Sequence, residues 1–150
     1  MSATCEITLA RSQTNGLAAK LPLRIGGVVI EGDRRGRELG YPTANVALPP
    51  GLDVPEAVFA GTVQRADGSI YGSAISVGRR ETFYGSNGVN LLEAFLLDFT
   101  GDLYGELLST TLLEVIREQA RFDSVGELVA QIALDVESVR RRAELSDNAR

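Results

Sequence analysis

Pro42-Thr43-Ala44-Asn45 sets a hydroxyl and a carboxamide two residues apart, immediately after a proline. Pro42 restricts its own φ and pushes Tyr41 toward extended backbone, so the side chains of Thr43 and Asn45 leave the same face of a strand. Two neutral oxygens placed in this way, completed by phosphate oxygens and water, suit a magnesium ion, which keeps much of its hydration. The same spacing also describes an ordinary turn entering a strand, and the residue types alone leave both readings open.

Just upstream, Arg34, Arg35 and Arg37 crowd around Gly36. A guanidinium offers a planar fork of donors that matches phosphate oxygens, so the cluster suits a small phosphorylated ligand; a solvated turn is the plainer reading. Gly36 and Gly40 let the backbone approach a ligand closely and present its N–H groups to anionic oxygens. Gly27 to Gly32 imitates the glycine spacing of a P-loop, but Asp33 and Arg34 stand where a lysine and a hydroxyl residue are needed. A triphosphate here must be held by other means.

Composition narrows the chemistry further. The chain has no histidine and one cysteine, Cys5, which removes disulfides, cysteine-rich zinc sites and histidine-based triads. Carboxylates, hydroxyls, amides and arginine remain. A formal charge of −5, with Lys20 the only lysine, argues against general nucleic-acid affinity. A lone thiol without a secretory signal fits the reducing cytoplasm, and no apolar run approaches the roughly 20 residues needed to span a bilayer.

The elements that must position these groups are mostly strands. At 150 residues the chain fits one compact domain, and 44% apolar with 23% charged residues matches a globular protein with an ordinary packed core. Residues 1–20 are polar and without periodicity and read as an extension, 21–145 as the folded domain, and 146–150 as a tail. Strands are expected at Ile25 to Glu31, Asn45 to Leu48, Phe59 to Gln64, Ile70 to Val77 and Leu91 to Phe99. The segment Leu107 to Ile116 is β-capable but leucine-rich enough to leave a helix open. Asp67-Gly68 between the third and fourth marks a hairpin. Val125, Leu128, Val129, Ile132, Val136 and Val139 then recur at helical steps behind a Ser124/Glu127 capping box, which places a helix start near Val125. Arg140, Arg141 and Arg142 read first as complements to the negative pole of its dipole. Short strands followed by one helix imply a closed or nearly closed antiparallel barrel with the helix packed against it.

The run Gly27-Val28-Val29 to Gly32, Arg35-Gly36-Arg37 and Leu39-Gly40-Tyr41-Pro42-Thr43-Ala44-Asn45 resembles the signature of the riboflavin kinase family. Further matches follow in order: Phe59-Ala60-Gly61 with Val63, Tyr71 to Gly78, Glu93 to Phe99, Gly101-Asp102-Leu103-Tyr104-Gly105, and Arg117 with Phe122, Ser124, Glu127-Leu128 and Gln131-Ile132. The similarity covers about Leu21 to Arg142. It implies a mainly β fold, a six-stranded antiparallel Greek-key barrel with a C-terminal α-helix, that transfers the γ-phosphate of ATP to the ribityl 5′-hydroxyl of riboflavin to give FMN and ADP.

By the same resemblance Thr43 and Asn45 contact Mg2+ and the nucleotide phosphates, and Glu93 is the general base. On its own, Glu93 reads as a polar residue on the outer face of a strand. Gly32, Arg35, Gly36, Arg37, Gly40, Tyr41 and Pro42 fall in the nucleotide-binding stretch, where the Arg35-Gly36-Arg37 loop acts as a flap and Tyr41 supplies a flat surface. The isoalloxazine ring falls between Arg79 to Asn90 and Arg117 to Ser124, which makes Arg79, Thr82, Phe83, Asn90, Arg117 and Phe122 the flavin-binding candidates. Two departures stand out: Glu81 occupies a place usually held by proline in the flavin flap, and Val58 one where glycine is common. Bacterial relatives commonly carry an amino-terminal adenylyltransferase domain; none precedes Leu21, so FAD synthesis is not expected. The expected partners are riboflavin or FMN and ATP or ADP, with no nucleic acid or membrane, in a cytoplasmic monomer. Two other readings of the same barrel are a non-catalytic flavin-binding module and an enzyme of a specialised biosynthetic pathway.

Overall fold

The computed structural model describes residues 21–32, 35–49, 51–82 and 85–148. Its elements are β1 (Leu23–Val28), α1 (Arg35–Glu38), β2 (Ala44–Ala47), β3 (Ala57–Gln64), β4 (Ile70–Thr82), β5 (Gly85–Leu96), β6 (Leu107–Glu118) and α2 (Val125–Asn148). The six strands form one antiparallel sheet in the order β1-β6-β3-β4-β5-β2. Within it, β3, β4 and β5 are joined as consecutive hairpins and β6 returns beside β3, which is a Greek key. The ends of the sheet meet where Ile30 bridges to Asn45, its N–H donating to the Asn45 carbonyl at 2.8 Å. The barrel is thus nearly closed, as the sequence implied.

Each strand turns alternate residues inward. Phe59, Val63, Ile75, Val77, Leu92, Leu108 and Leu112 are fully or almost fully buried and fill the interior with Val46, Ala57 and Ala94. A second, smaller cluster lies on the outer face of the sheet, where Val139 and Val136 of α2 pack on Ala60, Ala74, Phe95, Leu97 and Ile116. Burial on both faces explains why β3 shows hardly any polar alternation.

Several boundaries differ from those expected. β1 begins two residues before Ile25 and stops at Val28, because Val29 and Ile30 leave β6 and bond to Glu106 and Asn45. β5 ends at Leu96 rather than Phe99, since Asp98 adopts φ of 59° and turns the chain. β4 continues past Val77 to Thr82, carrying the β4–β5 hairpin beyond the barrel. The leucine-rich segment is strand β6, because its alternate Leu108, Thr110 and Leu112 face the core while β1 and β3 satisfy its backbone on either side.

The capping box forms in altered shape. Ser124 Oγ accepts the Glu127 N–H at 3.1 Å, while the Glu127 carboxylate accepts the Asp123 N–H at 3.0 Å rather than that of Ser124. Because α2 runs on to Asn148, Arg140 to Arg142 do not lie in its last turn. Arg140 and Arg142 tie the helix to the barrel instead: Arg140 forks onto Asp98 at 2.7 and 2.9 Å, and Arg142 reaches Glu114 at 2.9 Å. The Arg140 fork holds the Asp98 carboxyl below the usual carboxylate range. A more buried pair joins Arg117 of β6 to Asp135 of α2 through two bonds of 2.8 and 2.9 Å, with Gln131 also donating to Asp135.

Two stability tests follow from these contacts. A Cβ on Gly61 would overlap the Thr111 carbonyl oxygen and press on Ile75 at 2.8 Å, so Gly61→Ala must force β3 and β6 apart; a loss of about 2 kcal/mol or more is expected from urea unfolding. A midpoint like that of the parent would refute the close β3–β6 approach. Asp135→Asn leaves Arg117 half-buried without its carboxylate and should lower stability by about 2 kcal/mol. An unchanged midpoint would mean that the pair contributes no net attraction.

Candidate functional site

A cavity of about 440 Å³ opens at the barrel closure. One wall comes from the β1–β2 connection and the start of β2, with Val29, Ile30, Glu31, Gly32, Gly36, Arg37, Pro42, Thr43 and Asn45. The facing wall is the β5–β6 loop, with Phe99, Thr100, Gly101, Asp102, Leu103 and Tyr104, and Ala94 to Leu96 of β5 also contribute.

The first wall is built on close backbone approaches. Arg35 to Glu38 form a single helical turn, closed when the Tyr41 N–H donates to the Gly36 carbonyl at 2.7 Å and reversed by Gly40 at φ of 90°. A Cβ on Gly36 would overlap the Tyr41 carbonyl oxygen and stand 3.5 Å from Thr43 Oγ1; one on Gly32 would overlap the Asn45 carboxamide. Glycine at these two places lets the connection fold directly over the hydroxyl and the amide. Asn45 is almost buried, and its Nδ2 donates to the Thr43 carbonyl at 3.4 Å, which orients the amide. Tyr41 does not line the cavity; its ring meets Phe95 edge-on at 5.4 Å.

Thr43 and Asn45 offer a hydroxyl and a carboxamide oxygen in this cavity. Among the described residues no group of three or more His, Cys, Asp or Glu side chains could hold a metal ion. A donor set of two neutral oxygens fits a hard cation that takes its remaining ligands from phosphate and water.

Glu93 lies outside the cavity lining, one strand away. It sits directly opposite Asn45 across β5 and β2 and opposite Ser76 across β5 and β4. Its neighbours Leu92 and Ala94 point into the core, so Glu93 faces outward, on the same side as Asn45. The register continues from Ser76 to Val58 and from Val58 to Arg117. Asn45, Glu93, Ser76, Val58 and Arg117 therefore form one cross-strand row, about 19 Å long at the usual strand spacing. Val58, the fourth residue of that row, is buried.

Of the flavin candidates, Arg117 ends the row and Phe122 lies near it, whereas Arg79, Asn90 and Thr82 lie out along the β4–β5 hairpin. The Arg117 guanidinium is held by Asp135 and lies 5.9 Å from the Phe122 ring centre. Between Arg117 and Glu93, Gln119 crosses the row by donating to Ser76 Oγ at 2.7 Å and to the Val77 carbonyl at 3.0 Å. Arg79 and Asn90 face each other across the β4–β5 hairpin; the Arg79 N–H donates to Glu56, and the Asn90 carbonyl accepts from Leu48. Thr82 pairs with Gly85 through the backbone. Phe83 and Arg34 lie outside the described residues, and for Arg35, Glu81 and Thr82 the backbone alone is described. The structure thus brings Gly32, Gly36, Arg37, Pro42, Thr43 and Asn45 to one cavity and sets Glu93 beside it, with Arg117 and Phe122 apart.

Sequence pattern alone assigns the β5–β6 loop no site role. Gly101 and Gly105 at positive φ and the Asx turn in which Tyr104 N–H donates to Asp102 mark it as a shaped loop rather than a plain connection. Glu31 likewise reaches the cavity without a sequence signal to single it out.

Comparison with known proteins identifies the family. The family model for flavokinase, riboflavin kinase, matches residues 19–143. The bifunctional riboflavin kinase/FMN adenylyltransferase of Haemophilus influenzae is 35% identical over 119 residues, covering 79% of this chain and 38% of that protein. The RNA-binding riboflavin kinase RibR of Bacillus subtilis is 40% identical over 122 residues, covering 81% of this chain and 51% of that protein. The chain therefore spans about half the length, or less, of these curated relatives. A crystal structure described as a macrolide-efflux protein from Streptococcus pneumoniae superposes with a TM-score of 0.71 at 33% identity, covering 93% of this chain and 46% of that one. With a family model over most of its length and the signature segment folded around one cavity, the chain belongs to the riboflavin kinase family.

Proposed function

We propose that this protein is a riboflavin kinase, transferring the γ-phosphoryl group of ATP to the ribityl 5′-hydroxyl of riboflavin to give FMN and ADP. The observation that carries the reading is the register of β2 on β5. Asn45 belongs to the cavity, Glu93 lies directly across from it, and the row leads on toward Arg117 and Phe122. A phosphate donor at one end and a flavin at the other would meet at Glu93.

In this reading the triphosphate lies along Gly32, Gly36, Arg37, Pro42 and Thr43, where backbone N–H groups and arginine charge offset its negative oxygens. Arg35, Gly40 and Tyr41 hold the connection that covers it. Thr43 and Asn45 would hold magnesium, which supplies charge neutralisation at the phosphates. Glu93 accepts the proton of the ribityl hydroxyl as its oxygen bonds to the γ-phosphorus and the bond to the bridging oxygen of ADP breaks. A carboxylate suffices, because such a transfer asks mainly for positioning and a modest proton acceptor. Arg79, Thr82, Phe83, Asn90, Arg117 and Phe122 flank the ring.

No helix among the described residues is long and apolar enough to cross a membrane. We place the reaction in the cytoplasm, on a monomer. The charge of −5 offers little to a polyphosphate backbone, so the RNA binding named for the Bacillus subtilis relative is not carried over.

Purified protein supplied with riboflavin, ATP and magnesium should form FMN and ADP. Glu93→Gln and Thr43→Ala should each lower kcat by about a hundredfold or more while thermal unfolding stays near that of the parent. Gly32→Ala, whose new methyl would displace the Asn45 amide, should behave like Thr43→Ala. The kinase reading fails if no FMN forms with ATP or CTP under any of several divalent metals. Flavin binding without nucleotide consumption would instead indicate a non-catalytic module.

A further inference from the structure

The β5–β6 wall of the cavity offers what phosphates do not need: Phe99, Leu103 and Tyr104 present flat or apolar surface opposite the glycines, the hydroxyl and the amide. Tyr104 is 60% exposed there. A nucleoside base would find its stacking surface on this wall, with its phosphates toward Thr43 and Asn45.

What holds the wall in place lies outside the cavity lining. Arg65, at the end of β3, forks onto Glu106 through Nε at 3.0 Å and Nη2 at 2.8 Å, and its guanidinium lies 5.1 Å from the centre of the Phe99 ring. Tyr71 meets the same ring edge-on at 5.3 Å. Glu106 closes the loop, its N–H donating to the Leu103 carbonyl at 2.9 Å and its own carbonyl accepting from Val29 at 3.0 Å. The Gly105 N–H donates to Val29 as well, so the loop end is latched to the opposite wall. One arginine therefore contacts both the aromatic face of the wall and the residue that closes its loop.

We propose that Arg65, acting through Glu106 and Phe99, is a positioning residue for the nucleoside part of the phosphate donor, and sets nucleotide affinity without touching the phosphates or the flavin end of the site. This rests on the kinase reading. The fork also holds the Glu106 carboxyl below the usual carboxylate range, so the pair stays charged at neutral pH. Asp67, 3.8 Å from Arg65, is the other charge beside it. The row from Glu93 to Arg117 shares none of these contacts.

The test compares the parent with Arg65→Met, which keeps the stem over Phe99 but loses the fork, and with Arg65→Lys. Arg65→Met should raise KM for ATP by about tenfold, with kcat and KM for riboflavin within about twofold. Calorimetry in magnesium should show weaker binding of ADP but unchanged binding of pyrophosphate, because the latter lacks a base. Arg65→Lys should recover part of the loss, and Glu106→Gln should reproduce it without adding to it in the double variant. Equal weakening of ADP and pyrophosphate, or a fall in Tm with both affinities intact, overturns the proposal. If the parent itself binds no ADP, the kinase reading falls together with this one; normal parent binding with an unaltered variant overturns this one alone.

Discussion

A six-stranded sheet of this order can enclose a core only if its outer strands meet, and β1 and β2 are too short to do so along their length. They close by contact at a few points. Gly27 lies so near Val46 that a Cβ would overlap its methyl, Ile30 bonds to the Asn45 carbonyl, and Gly32 passes over the Asn45 amide. Val46 and Ile25 are buried because of this closure, and the interior from Phe59 to Leu112 depends on it in turn. The chain leaves the closure with its backbone already against Asn45 and Thr43. The point that seals the barrel is therefore also the point that builds the cavity, and substitutions that loosen one act on the other.

The helix answers a different need. The outer face of β3 and β4 would expose Ala60, Ala74 and their neighbours to water, and α2 covers them with Val136 and Val139. Its ionic ties are unequal. The exposed Arg140–Asp98 pair contributes little by itself but touches the residue that starts the β5–β6 loop. The Arg117–Asp135 pair is far more buried, and it fixes the end of β6 from which the Phe122 segment departs. A single helix thus bears both on the β5–β6 loop that lines the cavity and on the segment proposed for the flavin.

Patterns of short range were legible in the amino-acid order. The helical period from Leu128 to Val139, the Asp67-Gly68 hairpin and the signature around Thr43 and Asn45 each state their own local geometry, because backbone preference and spacing decide them. The barrel class followed from the number of short strands. Strand ends were less legible: whether β5 stops at Leu96 depends on the turn at Asp98, and whether β4 runs to Thr82 depends on a partner strand that lies across a hairpin.

What only the tertiary structure decided are relations between distant residues. Nothing local to Glu93 distinguishes it from any polar residue on a strand; it comes beside the cavity only when β2 pairs with β5 in the register that sets it opposite Asn45, 48 positions earlier in the chain. The Arg117–Asp135 pair, 18 residues apart, forms only once α2 packs on β6. Arg65 and Glu106, 41 residues apart, show no pattern in the chain and become a brace only when the β3–β4 hairpin and the β5–β6 loop reach the same end of the barrel. Sequence determined which groups could do chemistry and the local shapes that carry them, because these depend on neighbouring backbone. Their partners were decided by sheet register, which is set by the burial of a common core and is visible only once all six strands are paired.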